Sequence, residues 1–222
     1  MKKQLFFCFA IVSWKLAAGQ TLQQAGINPF DYKIEKKLIA SKGAVASAHP
    51  LASLVGASML KQGGNAFDAA IATQLALAVV YPNAGNLGGG GFLVGQLSNG
   101  KQVAIDYREK APLLSTTDMY LDENGTVIPN KSTLGYLSSG VPGTVAGMWA
   151  VHQKFGSMEW EKLLRPAIKL ASDGFEISPY MSDMLIKYNA KLSVFEETKN
   201  IFQKQYPIFN GELFVQVDLA KT

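Results

Sequence analysis

"GGNAFDAAIATQLALAVVYPNAGNLGGGGF", residues 63–92, decides the fold. From Phe67 to Val80 nearly every residue is apolar or small, so this stretch predicts a helix buried on most of its circumference. Asn65 can cap it, Gly63-Gly64 stops whatever precedes it, and Pro82 ends it. The run Gly88–Gly91 then needs a reason, because Gly costs about 0.5–1 kcal/mol relative to Ala in regular structure. A Walker loop would place Lys and Ser or Thr directly after the last Gly, and none follows. A dinucleotide loop runs strand, glycines, helix, whereas here a helix precedes and a strand follows. The phosphate reading therefore fails on polarity. A close crossing is expected instead, where the chain leaves a buried helix for a packed strand, with φ > 0 where needed. Presentation of bare N–H groups to an anion stands as the second reading.

Working outward, "GAVASAHPLASLVGASMLK" (43–61) predicts a helix starting near His49, with Ser47 as N-cap and Pro50 in the first turn. It carries Leu51, Leu54, Val55 and Met59 at helical spacing. Downstream, "FLVGQL" (92–97), "SNG" (98–100) and "KQVAID" (101–106) form a hairpin. A polar loop with Asp122, Asn124 and Gly125 leads to a helix introduced by Val141-Pro142-Gly143 and closed by Gly156, with Val145, Trp149 and Val151 apolar. Residues 158–175 predict an amphipathic helix through Leu163, Leu164, Ile168 and Leu170 to a stop at Gly174, kinked or split at Pro166. Residues 180–205 are helical and more exposed. "ELFVQVDLAKT" (212–222) reads as a strand, then Asp218 as N-cap of a helical turn from Leu219 to Thr222. An element that has only begun at the last residue suggests a piece of a longer protein.

The N-terminus has the order of a secretory signal. Lys2 and Lys3 precede an apolar run from Leu5 to Trp14, and small residues at Ala17 and Gly19 follow, so residues 1–19 are expected to leave after Gly19. The apolar run is about half the ~20 residues a membrane span requires. Residues 20–42 form a lead-in and residues 43–222 the folded portion. With Lys2, Lys3 and Lys15 gone, the net charge drops from +4 to +1, and no Lys/Arg-rich run argues for nucleic acid. Cys8, the only cysteine, leaves too, which excludes disulfides, a thiol nucleophile and Cys-ligated metal. His49 and His152, the only imidazoles, have no metal-ligand spacing.

One charged cluster could act on a ligand. Asp106, Arg108 and Glu109 stand where the second hairpin strand ends, and strand alternation puts Asp106 and Arg108 on one face with Glu109 on the other. Arg108 could grip a substrate carboxylate through two parallel hydrogen bonds, or pair structurally with its acidic neighbours. Asp68 inside an apolar helix wants a partner, and bonding loop backbone would satisfy it. "SSGVPGT" (138–144) lacks the Gly-x-Ser-x-Gly frame, and no nucleophile–base pair can be assembled.

The chain resembles the N-terminal part of the γ-glutamyltranspeptidase family, also called glutathione hydrolases. The resemblance rests on "GAVASAHPLAS" (43–53), residues 63–92 in full, "AIDYREKAP" (104–112), "SGVPGTVAGM" (139–148), "RPAIKLASDGF" (165–175) and "VQVDLAKT" (215–222), in that order. It implies an α+β architecture, the N-terminal-nucleophile hydrolase αββα sandwich, of which this chain holds the N-terminal portion of the large subunit. It also implies an exported precursor that cuts itself into large and small subunits. The small subunit's new N-terminal Thr attacks the γ-glutamyl amide of glutathione or a related compound, and the acyl group passes to water or to an amino acid or peptide acceptor. The Arg of the family's "D-[FY]-R-E" block, Arg108 here, is implied to bind the α-carboxylate of the γ-glutamyl group. No catalytic residue is carried onto this chain, since the nucleophile, oxyanion donors and amino-group acids belong to the family's C-terminal region. The chain alone is expected to be inactive, and no cofactor or metal is implied. A cephalosporin-type acylase of the same fold and a non-catalytic γ-glutamyl-binding protein are the alternatives.

Overall fold

The computed structural model describes residues 39–203 and 210–222. The expected signal segment and nearly all of the lead-in lie outside the described residues.

The centre of the fold is α2 (Ala66–Val80), preceded by α1 (Pro50–Lys61). Small residues let α2 be enclosed: Ala69, Ile71, Ala72, Leu75, Ala76, Ala78, Val79 and Val80 are all buried. Against it lie Ala52 and Met59 of α1, and the stripe Leu163, Ala167 and Ala171 of α4 (Trp160–Asp173). Complete burial of a side chain such as Leu163 contributes about 1.5–3 kcal/mol. Leu54 and Ile168, expected among the apolar contacts, are instead exposed.

Asn65 caps α2 as expected, its Oδ1 accepting from the N–H groups of Phe67 and Asp68. Asp68 reciprocates by accepting from the Asn65 N–H, which completes a capping box. For α1 the N-cap is His49 rather than Ser47: His49 Nδ1 accepts the Leu51 N–H at 3.3 Å. Ser47 donates its hydroxyl to the His49 carbonyl and meets Ser53 Oγ, holding the entry to the helix without capping it.

The hairpin pairs β1 (Phe92–Gln96) with β2 (Gln102–Asp106), antiparallel, with Phe92 opposite Asp106 and Gln96 opposite Gln102. Leu93 and Ile105 face the helical core, while Phe92 and Val94 face outward. Then α3 (Thr144–Phe155) is closed by Gly156, and α4 runs as one helix through Pro166 instead of splitting there. The lost hydrogen bond would have served the carbonyl of Lys162, a residue on the exposed side of the helix. Packing of the α4 stripe on α2 outweighs what remains of that cost.

The last third comprises β3 (Phe175–Glu176), α5 (Pro179–Lys187), α6 (Asn189–Leu192), α7 (Glu196–Phe202), β4 (Leu213–Phe214) and α8 (Val217–Lys221), with β3 and β4 paired antiparallel. Asp218 does not cap α8; it lies in its first turn beside Lys221, and the cap residue is Gln216. Buried Gln216 sends its side-chain N–H to the Val79 carbonyl and its backbone N–H to that of Ala171. Orphan carbonyls in the last turns of α2 and α4 are thereby satisfied by one residue.

Candidate functional site

The expected cluster and the glycine run form one site. Gly91 and Tyr107 exchange backbone hydrogen bonds at 3.0 and 3.3 Å, carrying the hairpin ladder one step past Phe92 and Asp106. Lys110 exchanges two more with Val141, and the Gly89 carbonyl accepts the N–H groups of Gly143 and Thr144 at 2.8 and 2.9 Å. Three segments thus run side by side: residues 89–91, 107–110 and 141–144.

Close approach explains the glycines. A Cβ on Gly90 would sit 2.7 Å from the Tyr107 carbonyl oxygen and 2.8 Å from Arg108 Cα, and one on Gly143 would sit 2.0 Å from that same oxygen. None of Gly88–Gly91 has a positive φ, so the run is used for space rather than for left-handed backbone. At Gly88 nothing stands within 4 Å of the added carbon, so crowding is not the reason for that position.

Between these glycines the chain presents Arg108. Tyr107 turns inward, its ring against Gly147 and its hydroxyl donating to Gln74 Oε1 at 3.2 Å. Arg108 therefore turns outward, with 61% of its side chain accessible. Its guanidinium carbon stands 5.7 Å from the centroid of the Phe92 ring, within cation–π range. Nε donates to Glu109 Oε2 at 2.9 Å. Among the described residues, neither Nη group has a hydrogen-bond partner.

The expected alternation holds through Arg108, with Tyr107 inward and Asp106 and Arg108 outward, and fails at Glu109. The strand ends at Asp106, whose carboxylate accepts the backbone N–H of Arg108 at 2.9 Å instead of its guanidinium. Freed from the strand, Glu109 swings beside Arg108. The backbone N–H of Glu109 itself, then the Arg108 guanidinium, together with the Gly90 N–H, hold its carboxyl below the ordinary range despite partial desolvation. The structural pairing weighed for Arg108 therefore exists, yet it occupies only the Nε edge.

Asp68 bonds loop backbone, as its sequence position suggested. Fully buried, it accepts from the Ser157 hydroxyl at 2.5 Å, the Ser157 N–H at 3.0 Å, the Met158 N–H at 3.3 Å and the Asn65 N–H at 2.8 Å. Burial pushes this carboxyl up, and the bonds from Ser157, Asn65 and Met158 together bring it below its ordinary value. His152 is stacked with Trp149 and tilted against Trp160, with Nε2 at 2.8 Å from the Met158 carbonyl. Among the described residues, no cluster of His, Cys, Asp or Glu could hold a metal, and no helix is long and apolar enough to cross a membrane.

Sequence reasoning missed Phe92, Asn86 and Thr144 as parts of this site. Asn86 carried a local signal, since Asx residues bond backbone two or three positions onward; its Oδ1 takes the Gly89 N–H. Its second partner, Thr144, is 58 residues away and had none.

A family model described as gamma-glutamyltranspeptidase matches residues 52–222. The glutathione hydrolase proenzyme of Pseudomonas sp. (strain A14) is 47% identical over 187 residues, 82% of this chain and 32% of the relative. That of Escherichia coli (strain K12) is 44% identical over 200 residues, 87% of this chain and 34% of the relative. The Helicobacter pylori γ-glutamyltranspeptidase crystal structure superposes with a TM-score of 0.81 at 48% identity, covering 83% of this chain and 54% of that one. This chain thus spans about a third of the length of the curated relatives it matches, and it carries part of the N-terminal-nucleophile hydrolase fold. The glycine run, the arginine it crowds and the start of α3 that bonds the Gly89 carbonyl all lie inside the matched region, and on that match the chain belongs to the γ-glutamyltranspeptidase family.

Proposed function

We propose that this chain is the N-terminal portion of the large subunit of an exported γ-glutamyltransferase with glutathione hydrolase activity, with residues 1–19 a removable signal, 20–42 a lead-in and 43–222 the folded part. Family membership supports the chemistry, as do the relatives named glutathione hydrolase proenzyme. Arg108 carries the binding role: its two Nη groups receive the α-carboxylate of a γ-glutamyl compound such as glutathione in a paired contact. A nucleophilic Thr at the head of a small subunit cut from the same precursor then attacks the side-chain amide. Its hydroxyl oxygen bonds to the carbonyl carbon of the side-chain amide, the C–N bond breaks as the amine leaves with a proton, and the acyl group of the resulting ester passes to water or to the amine of an amino acid or peptide. The Thr amine serves as base for its own hydroxyl. No cofactor enters this sequence of steps.

The observation that carries this reading is the exposed Nη edge of a guanidinium whose Nε is already fixed by Glu109. Arg108→Lys in the full-length enzyme exchanges a fork for a point charge, a loss of about 2–4 kcal/mol in kcat/KM for glutathione. Steady-state kinetics check it, and wild-type values in that variant would remove Arg108 from the substrate.

A further inference from the structure

We propose that Asn86 and Thr144 act as positioning residues for Arg108, setting the height of the glycine loop against the arginine's backbone. This inference rests on Arg108 being the carboxylate grip, and it adds what holds that grip in place.

Gly89 is gripped at both ends of its backbone. Its N–H donates to Asn86 Oδ1 at 2.9 Å, and its carbonyl accepts the N–H groups of Gly143 and Thr144. Those two donors belong to the start of α3, so helix-end N–H groups that need partners find them on the loop. The Thr144 hydroxyl closes the circuit by donating to Asn86 Oδ1 at 2.8 Å, and Thr144 is 0% exposed. Asn86 is itself braced by donation from Nδ2 to the Ala84 carbonyl at 3.2 Å. One amide oxygen thereby ties loop to helix from inside the protein.

The next residue transmits this placement. Gly90 stands against the Tyr107 carbonyl, Arg108 Cα and the Glu109 N–H, and Gly143 abuts the same Tyr107 carbonyl from α3. Arg108's backbone is therefore set between two surfaces whose separation the Asn86–Thr144–Gly89 circuit fixes. Neither side chain needs to reach a substrate. Loss of the Thr144 hydroxyl leaves Asn86 Oδ1 with one donor and lets the loop drift, tilting the guanidinium off its paired contact, where small misplacements are costly.

The test uses the full-length enzyme with Thr144→Val and Thr144→Ser, each alone and with Arg108→Ala. KM and kcat are measured for glutathione and for the same γ-amide with hydrogen in place of the α-carboxylate. Thr144→Val is expected to raise the glutathione KM about tenfold while leaving the KM of the carboxylate-free amide near wild type. Thr144→Ser restores the hydroxyl and the KM, and Thr144→Val adds no further rise once Arg108 is Ala. Equal KM increases for both substrates, or a full additive effect on top of Arg108→Ala, would overturn the proposal in favour of a purely structural bond. A strongly impaired Arg108→Ala beside a wild-type Thr144→Val overturns the positioning role alone, whereas a wild-type Arg108→Ala overturns the carboxylate grip itself. Should Thr144→Val fail to fold, Asn86→Ala removes the same acceptor from the loop side and is held to the same two-substrate pattern.

Discussion

Two buried or half-buried side chains bring pH into the stability of this fold. Asp68 is charged in the folded state because four donors face it, and its folded value lies below the unfolded one of about 3.9. Its contribution is thus complete above that pH and is lost as the pH falls through the lower folded value. Asp68→Asn turns an amide N–H toward a site built only of donors, at a cost of about 2–4 kcal/mol at neutral pH. Urea midpoints at pH 7 and pH 3 should differ less in that variant than in the parent. His49 behaves in the same direction for a different reason. Burial holds its imidazole below the ordinary value of 6.5, and only the neutral ring offers Nδ1 to the Leu51 N–H. The cap is present above 6.5 and is lost as the pH falls, since the folded state must then take up a proton that the unfolded chain already holds. His49→Asn keeps an acceptor that does not titrate, so its melting temperature is expected to change less between pH 7.5 and 5.5 (about one unit either side of the ordinary imidazole value).

Among the elements, the glycine run shows how a single stretch mixes necessary and dispensable positions. Gly90→Ala drives a methyl into the backbone of Tyr107 and Arg108, whereas Gly88→Ala meets nothing within 4 Å. The first should lower the melting temperature of the full-length protein and, on the proposed carboxylate role of Arg108, raise the KM for glutathione sharply; the second should leave both near wild type. Parallel kinetics on the two variants check this contrast. Much of the element layout was legible because it is locally encoded: the Ala-rich buried α2, its Asn65 cap, the hairpin about residues 98–100, and the stops at Gly156 and Gly174. The misses lie where a tertiary contact or a shift of one or two residues overrides local pattern. Glu109 sits beside Arg108 because the hairpin ladder gives out after Tyr107, so alternation no longer sets the direction of the second residue beyond it. His49 took the cap from Ser47 although either type could accept a helix N–H. Pro166 was tolerated because burial of Leu163 and Ala167 holds α4 together on both sides of it. The Asn86–Thr144 bond joins a loop to a helix across 58 residues of sequence, and neither residue announces the other.

At the scale of the molecule, the hairpin is dressed for two neighbours and the described residues supply one. Its inner face, with Leu93 and Ile105, rests on the helical core. Its outer face exposes Phe92 at 63% and Val94 at 84%, on a sheet of two strands. In an αββα sandwich each sheet lies between a helix layer and the other sheet, so both faces of this hairpin should be covered in a protein as long as the relatives. Val94→Lys separates the two situations. In the chain alone the lysine meets water and is expected to leave the helical content unchanged while reducing association through the apolar face. In the full-length protein the same ammonium is buried without a partner, costing about 2–3 kcal/mol or shifting to its neutral form. Circular dichroism and light scattering read the first, and the melting temperature of the complete enzyme reads the second. Equal tolerance in both would mean that the face stays open to solvent, and that Phe92 stacks on Arg108 as a surface residue.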